Sequence, residues 1–267
     1  MIKQTNIVLI GAGHLASHII HFISSNNTLK LLQVFNHRKT KEALFLAQQN
    51  HCEFTTKYIE IVTNADIYVI CVNDSSIKKV AKNLIPLRLK NLVVHTSGSI
   101  GMSALKNVSK DIGVFYPLQT FTKNDLIDWK MTPILLEANT NVAYTKLKML
   151  AHQFSSTIKK VNSSKRLNIH LAAVFGCNFT NALYAISYQL FEKSLSKKNL
   201  KLLFPILKQS FNKAQLINPL DAQTGPARRN DQITMEKHLK LLRSNKQLSN
   251  IYKSLSHLIM EQHHVKL

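Results

Sequence analysis

Glycine, proline, cysteine and acidic residues are all scarce in this 267-residue chain, which has 7 Gly, 6 Pro, 3 Cys and 14 Asp plus Glu. So few glycines and prolines, beside 45% apolar residues, exclude a collagen-like, linker-rich or wholly disordered polypeptide. The cysteines, Cys52, Cys71 and Cys177, are odd in number, widely spaced and free of any Cys-x-x-Cys pairing. They support neither a disulfide framework nor a thiolate metal site and are read as buried free thiols. No uninterrupted apolar run reaches the roughly 18 to 20 residues of a membrane-spanning helix, so a water-soluble protein without membrane association is expected. The opening residues lead directly into a strand, without an apolar signal core or a small-residue cleavage site, and a cytoplasmic location is expected.

Acid is scarce and base abundant: 35 Lys plus Arg give a formal charge of +21. A basic chain can bind nucleic acid by displacing counterions from phosphates. Here lysine outnumbers arginine 29 to 6, is spread along the whole chain and accompanies abundant Asn and Ile. All three residues have A/T-rich codons, so a compositional bias of the coding sequence explains the charge, with weak attraction for anions as a by-product. The aromatics are not interleaved with the basic residues as a stacking groove requires, and nucleic acid is not an expected partner.

At about 150 residues per domain, the length allows one large or two smaller domains. The first part alternates short β-branched runs with helix-like stretches, the pattern of a doubly wound α/β sheet. Strands are predicted at 6–10, 31–35, 66–72, 92–96, 112–116, 132–137 and 157–161. Ile7-Val8-Leu9-Ile10 and Ile67 through Val72 have the continuous apolar character of parallel strands buried on both faces. Beyond Val161 the strand signal ends, and helical periodicity runs on, punctuated at Pro205, Asn218-Pro219 and Gly225-Pro226. An N-terminal Rossmann domain at 1–162 and an all-helical domain at 163–267 are therefore predicted. The latter opens with a long helix from about Lys165 to Lys193, for which Ser163-Ser164 supplies a cap.

After the first strand stands Gly11-Ala12-Gly13-His14-Leu15-Ala16, a G-x-G-x-x-A turn opening a helix. Gly11 permits the tight bend, Gly13 leaves room for a pyrophosphate, and Ala16 lets helix and strand pack closely. The free amides and dipole of the helix start, from Ala12 through His14 and Leu15, face the diphosphate. At the tip of the second strand, where an NAD site carries an acid, this chain has Asn36, followed by Arg38, Lys39 and Thr40. Arg38 can take a 2′-phosphate through a planar, charge-assisted fork, with Lys39 and Thr40 as further donors. NADP(H) is therefore the expected cofactor. His14, His18 and His21 share a helix face, but no carboxylate or thiolate completes a ligand set, and no metal is expected.

With these blocks placed, the chain resembles the Rossmann-like oxidoreductase family that carries domain of unknown function 2520, itself similar to pyrroline-5-carboxylate reductase and 6-phosphogluconate dehydrogenase relatives. The matching blocks are Gly11 to Ala16, Asn36-His-Arg38, His95-Thr-Ser-Gly-Ser99, Tyr116-Pro-Leu-Gln-Thr-Phe121, His170 to Asn178 and Thr224 to Asp231. The resemblance implies an NADP-type Rossmann domain followed by a helical domain of the 6-phosphogluconate dehydrogenase C-terminal type, which forms a homodimer interface and half of the active site. One departure is visible: the family's Arg-Gly-Asp reads Arg229-Asn230-Asp231 here, and Asn tolerates the left-handed region that such a turn needs.

Hydride transfer needs a nicotinamide, an electrophilic carbonyl or imine carbon, and a group that handles the accompanying proton. Val72-Asn73 and Ser97 stand at carboxyl ends of strands, where nicotinamide is expected, with Asn73 and Ser97 as hydrogen-bonding candidates and turn capping as their alternative role. By analogy with similar enzymes, which present a lysine and an asparagine from the corresponding helix, His170 is the first candidate for proton donor and Asn178 for substrate orientation. His95 is the runner-up acid. Arg229 is a candidate clamp for a substrate carboxylate or phosphate, with Asp231 fixing it or capping the next helix. Tyr116-Pro117 is read as a rigid strand exit open to a cis bond. The expected activity is NADP(H)-dependent oxidoreduction of a small anionic carbonyl or imine compound, with a non-catalytic NADP-binding sensor or assembly protein as the alternative.

Overall fold

The computed structural model of the chain describes residues 4–123 and 125–264, so the first three residues of the opening stretch lie outside the description. Two compact units are present, Met1–Asn181 and Ala182–Leu267.

The first unit is built on an eight-stranded sheet. In chain order the strands are β1 (Thr5–Ile10), β2 (Leu29–Phe35), β3 (Glu53–Thr55), β4 (Ile67–Ile70), β5 (Leu92–His95), β6 (Ile112–Pro117), β7 (Ile134–Ala138) and β8 (Ile158–Lys160). They lie in the order β3-β2-β1-β4-β5-β6-β7-β8. The pairs from β3 through to β6 are parallel, β7 runs antiparallel to β6, and β8 runs parallel to β7. All seven predicted strands form, with ends trimmed or extended by a few residues. The short edge strand β3 was not predicted, because Glu53-Phe54-Thr55 carries no apolar run, and its backbone is recruited by β2 rather than by its own pattern.

Strand residues alternate between two helical layers. Ile7 and Leu9 join the cluster of helices α1 (His14–Ser24) and α4 (Asn141–Phe154), through Ile20, Leu147 and Phe154 among others. Val8 and Ile10 point the other way, to Ile77, Val80 and Leu84 of helix α3 (Asp74–Leu84). This period-two division buries both faces of the central strands and explains their unbroken apolar runs. Helix α2 (Lys41–Gln49) follows β2 and is capped by Thr40, whose hydroxyl accepts from the Ala43 amide at 3.2 Å. Chain order reverses between β1 and β4, which opens a crevice at their carboxyl ends.

The predicted long helix comprises α5 (Ser163–Ala173), a π-helical stretch (Val174–Phe179) and α6 (Thr180–Glu192). Its cap is Asn162, whose side-chain oxygen accepts from the Lys165 amide at 2.9 Å, not the Ser163-Ser164 pair. The first compact unit extends past the predicted boundary at 162 because the opening turns of α5 are held to the sheet by Arg166. By length and composition alone, the run Ser163–Glu192 is long and apolar enough to cross a membrane, a test that the core helix of a soluble protein also passes. Counting only uninterrupted apolar residues passes over it. Cys71 is buried as expected, whereas Cys177, on the π stretch, is exposed.

Among its described residues, the second unit contains helices and turns and no strand. After α6 come α7 (Phe204–Leu216), α8 (Pro219–Ala222), α9 (Gln232–Leu242) and α10 (Lys246–His264). Pro205 and Pro219 stand in the first turns of α7 and α8, where the missing amide hydrogen costs nothing.

Candidate dinucleotide cleft and active site

Gly11 has φ +113°, and a Cβ built on it would lie 2.2 Å from the Cys71 carbonyl oxygen of the neighbouring strand exit. Both facts demand glycine: the bend is left-handed and the chains cross in near contact. Gly13 differs, being extended at φ −81° and ψ −173°, with nothing within 4 Å of where its Cβ would stand. The space beside it is the seat that the sequence assigns to a pyrophosphate. Helix α1 has no side-chain cap, so its first amides face that seat, while Ala16 is fully buried against the sheet.

A cleft of about 1210 Å³ opens from this turn. Of the predicted cofactor residues, Gly11, Ala12, Gly13, His14, Asn36, Arg38, Thr40, Val72 and Asn73 line it. Leu15, assigned through its backbone amide, packs its side chain half-buried against the core, and Lys39 is exposed and not among the lining residues. Asn36 shapes the loop, donating from Nδ2 to the Arg38 carbonyl at 2.8 Å. Sequence reasoning missed Tyr58, Lys79 and Lys123, which also line the cleft. Tyr58 packs on Phe35 with ring centroids 4.5 Å apart and gives one end of the cleft an aromatic wall. No local motif marks these three residues, since each reaches the cleft from a different element. Arg38, Lys41, Lys79 and Lys123 make the lining basic, with Glu42 the carboxylate among the lining residues, 3.9 Å from Lys123. The open seat at Gly13, the uncapped α1 and this basic lining fit NADP.

A second cluster lies at the ends of β5 and β6. Ser97 is buried, and its hydroxyl accepts from the amides of Ser99 and Ile100 at 3.1 and 3.0 Å, which is turn capping, the alternative role foreseen for it. Ser99 in turn donates to Asp74 at 2.5 Å, joining the loop to the start of α3. His95 is fully buried and accepts the Ser97 amide at Nδ1, 3.2 Å away. Burial, with the nearby Arg166 guanidinium as a second cause, pushes its pKa down from 6.5 to about 4. Buried and accepting the Ser97 amide, the ring supports the loop from beneath.

His170 projects from α5 to this loop. Its Nδ1 is 3.0 Å from the Tyr116 hydroxyl, and the two rings meet edge to face with centroids 5.9 Å apart. Gly98 passes directly beneath: a Cβ there would stand 2.7 Å from His170 Nδ1 and 2.8 Å from Tyr116 Cζ. One turn earlier, Arg166 is 1% exposed, pairs with Glu137 of β7, and donates to the Ile100 carbonyl at 2.6 Å. Ser163 completes the joint, donating to Glu137 and accepting the Met102 amide. None of Tyr116, Gly98, Arg166 or Glu137 was singled out as a site residue from sequence, because their link to His170 is made across the fold.

Asn178 lies in the π stretch and is exposed. The expectation that it shares a face with His170 was reckoned on 3.6 residues per turn, whereas the stretch from Val174 is π-helical. The described residues contain no cis peptide bond, so Tyr116-Pro117 is trans. His18 donates from Nε2 to the Thr122 carbonyl at 2.8 Å and rests against Phe121. In the second unit, Asn230 does adopt the left-handed conformation, φ 54°, and leaves Arg229 exposed beside it. Asp231 caps α9 through Thr234, which holds its carboxyl below the usual range, with a lesser pull from Arg229.

Residues 6–98 match the family described as NADP oxidoreductase coenzyme F420-dependent, and residues 132–259 match the domain of unknown function DUF2520. Among solved structures, a Bacteroides fragilis protein assigned as an NADP oxidoreductase is 34% identical, with a TM-score of 0.88 over 98% of this chain and 100% of that one. A pyrroline-5-carboxylate reductase from Coxiella burnetii, 16% identical, gives 0.58 over 98% of each chain. An imine reductase from Myxococcus stipitatus in complex with NADP+, 15% identical, gives 0.63 over 96% of this chain and 92% of that one. The last two show likeness of fold. A comparison with curated proteins found no match.

Proposed function

Because the chain belongs to the family of NADP oxidoreductases that carry a C-terminal DUF2520 domain, we propose that it is a reductase or dehydrogenase acting on a small anionic carbonyl or imine compound. When bound, NADP(H) supplies or takes up the hydride. Gly11, Gly13 and the start of α1 hold the diphosphate, Arg38 with Lys79 holds the 2′-phosphate, and Tyr58 flanks the adenine end. His170 gives the proton to the carbonyl oxygen or imine nitrogen as the neighbouring carbon is reduced, and takes it back in the reverse direction. The observation that carries this reading is the pairing of His170 with Tyr116 over Gly98, a titratable group fixed beside the loop at the carboxyl end of β5.

Asn178, on the π stretch that continues the helix of His170, orients the polar atom at the reacting carbon. Leu167, Leu171, Phe175 and Phe179 leave an apolar stripe exposed on α5 and the π stretch, between 46% and 61% accessible. That stripe supports a homodimer through the helical region. A cytoplasmic location belongs to the same reading.

Loss of NADPH absorbance across a panel of 2-oxo acids and cyclic imines tests the proposal. Turnover that falls by about a hundredfold or more in His170→Ala supports it. Tight NADPH binding with no turnover on any member would overturn it in favour of an NADP sensor.

A further inference from the structure

We infer that Tyr116 is a positioning residue for His170, fixing the ring so that Nε2 is the nitrogen that exchanges the proton with substrate. The inference rests on the assignment of His170 as proton donor, but its geometry stands by itself. The Tyr116 hydroxyl is 3.0 Å from Nδ1, so that nitrogen is engaged. The hydroxyl accepts from Nδ1–H when the ring is an imidazolium and goes on accepting from it once Nε2 has given up its proton. The neutral ring therefore carries its proton on Nδ1, and Nε2 is bare and able to take a proton back.

Two further contacts make this arrangement rigid. The Gly98 backbone lies so close beneath both rings that a methyl group there would overlap His170 Nδ1 and Cγ at 2.7 and 2.9 Å. The imidazole cannot drop further toward the loop without moving it. Arg166, one turn before His170, anchors α5 to Glu137 and to the Ile100 carbonyl of the same loop, so helix and loop are held as one body. Burial first, then Asp74, hold the Tyr116 phenol above its ordinary pKa against the opposing pull of Arg166. The hydroxyl thus keeps its proton and stays a neutral partner for the ring. Placing a general acid by a hydrogen bond to its remote nitrogen is the arrangement that orients histidines elsewhere in catalysis. Here a phenol takes the orienting role, with no charge of its own.

Nitrogen NMR of full-length protein labelled at histidine, at about pH 9 where an imidazole is neutral, reads the tautomer directly. In the wild type His170 is expected as a single tautomer, protonated at Nδ1, with the Nε2 resonance at the high frequency of an unprotonated ring nitrogen. In Tyr116→Phe both tautomers are populated and the two ring nitrogens move toward a common averaged frequency, while NADPH affinity stays within about twofold of wild type. Unchanged His170 resonances in the variant would overturn the inference. Should the variant not fold, the wild-type spectrum still decides, since an Nε2-protonated or mixed ring is incompatible with the proposed bond. None of these readings requires turnover. Failure of the redox assignment would therefore appear as an absence of activity with the tautomer intact, distinct from failure of the positioning role.

Discussion

Arg166 and Glu137, twenty-nine residues apart in the chain, form an ion pair in which the guanidinium side chain is 1% and the carboxylate side chain 14% exposed. The pair joins the first turn of α5 to β7, and the second guanidinium nitrogen reaches the Ile100 carbonyl. One joint therefore sets where the helix that carries His170 meets the loop at the end of β5.

Breaking that joint from one side leaves a buried charge unpaired. Glu137→Gln is expected to lower the unfolding free energy by about 3 kcal/mol, and Arg166→Met by a similar amount. The double variant should lose less than the sum, because neither charge then remains uncompensated. Denaturant unfolding of the three variants checks this; additive losses would count against the pair as the source of stability.

His95 makes stability depend on pH. Its folded pKa of about 4 lies below the 6.5 of an ordinary histidine, so the unfolded chain binds the proton more readily than the folded one. The contribution is complete above about pH 6.5 and is lost as pH falls toward 4, amounting to about 3 kcal/mol. His95→Gln is expected to flatten the slope of unfolding free energy against pH in that window. A slope equal to that of wild type would place the titration elsewhere.

The two glycines of the phosphate turn should respond in opposite ways. Gly11→Ala forces a Cβ against the Cys71 carbonyl at positive φ and is expected to cost more than about 2 kcal/mol of stability. Gly13→Ala meets open space in an extended conformation and should change stability by less than about 1 kcal/mol. It nevertheless fills the pyrophosphate seat, so calorimetry should show NADPH affinity reduced by at least roughly tenfold.

Arg38→Ala is expected to lower the preference for NADPH over NADH by roughly ten- to a hundredfold, as loss of a charge-assisted fork implies. Arg38→Lys should recover part of it, and Lys79→Ala should have a smaller effect of the same sign. Dissociation constants for both cofactors at low and high salt provide the measurement, and the preference should weaken as salt screens the exposed charges.

Much of this could be read before any coordinates were known, and the reason differs from residue to residue. Gly11, Gly13 and Ala16 are legible because a turn that crosses a neighbouring strand and opens a helix imposes conditions on consecutive residues. The strand alternation is legible because burial on both faces leaves an apolar run. Asn230 in place of glycine is legible because few residues tolerate a left-handed turn. Leu15 and Lys39 stand in the right segment without lining the cleft, since a motif names a stretch and the packing of its helix or loop chooses which side chains face inward. The π stretch that carries Asn178 was not predicted, because a π turn depends on packing that helical periodicity does not encode.

By itself, then, the order of residues determined the doubly wound sheet, the phosphate turn, the basic loop after β2 and the helical character of the second part, all conditions satisfied within a few neighbouring residues. Tertiary structure alone decided that Tyr116, Gly98, Arg166 and Glu137 converge on His170, and that Tyr58, Lys79 and Lys123 meet at one cleft. Those arrangements bring together groups distant in the chain, whose positions follow from the sheet order and the packing of helices on it.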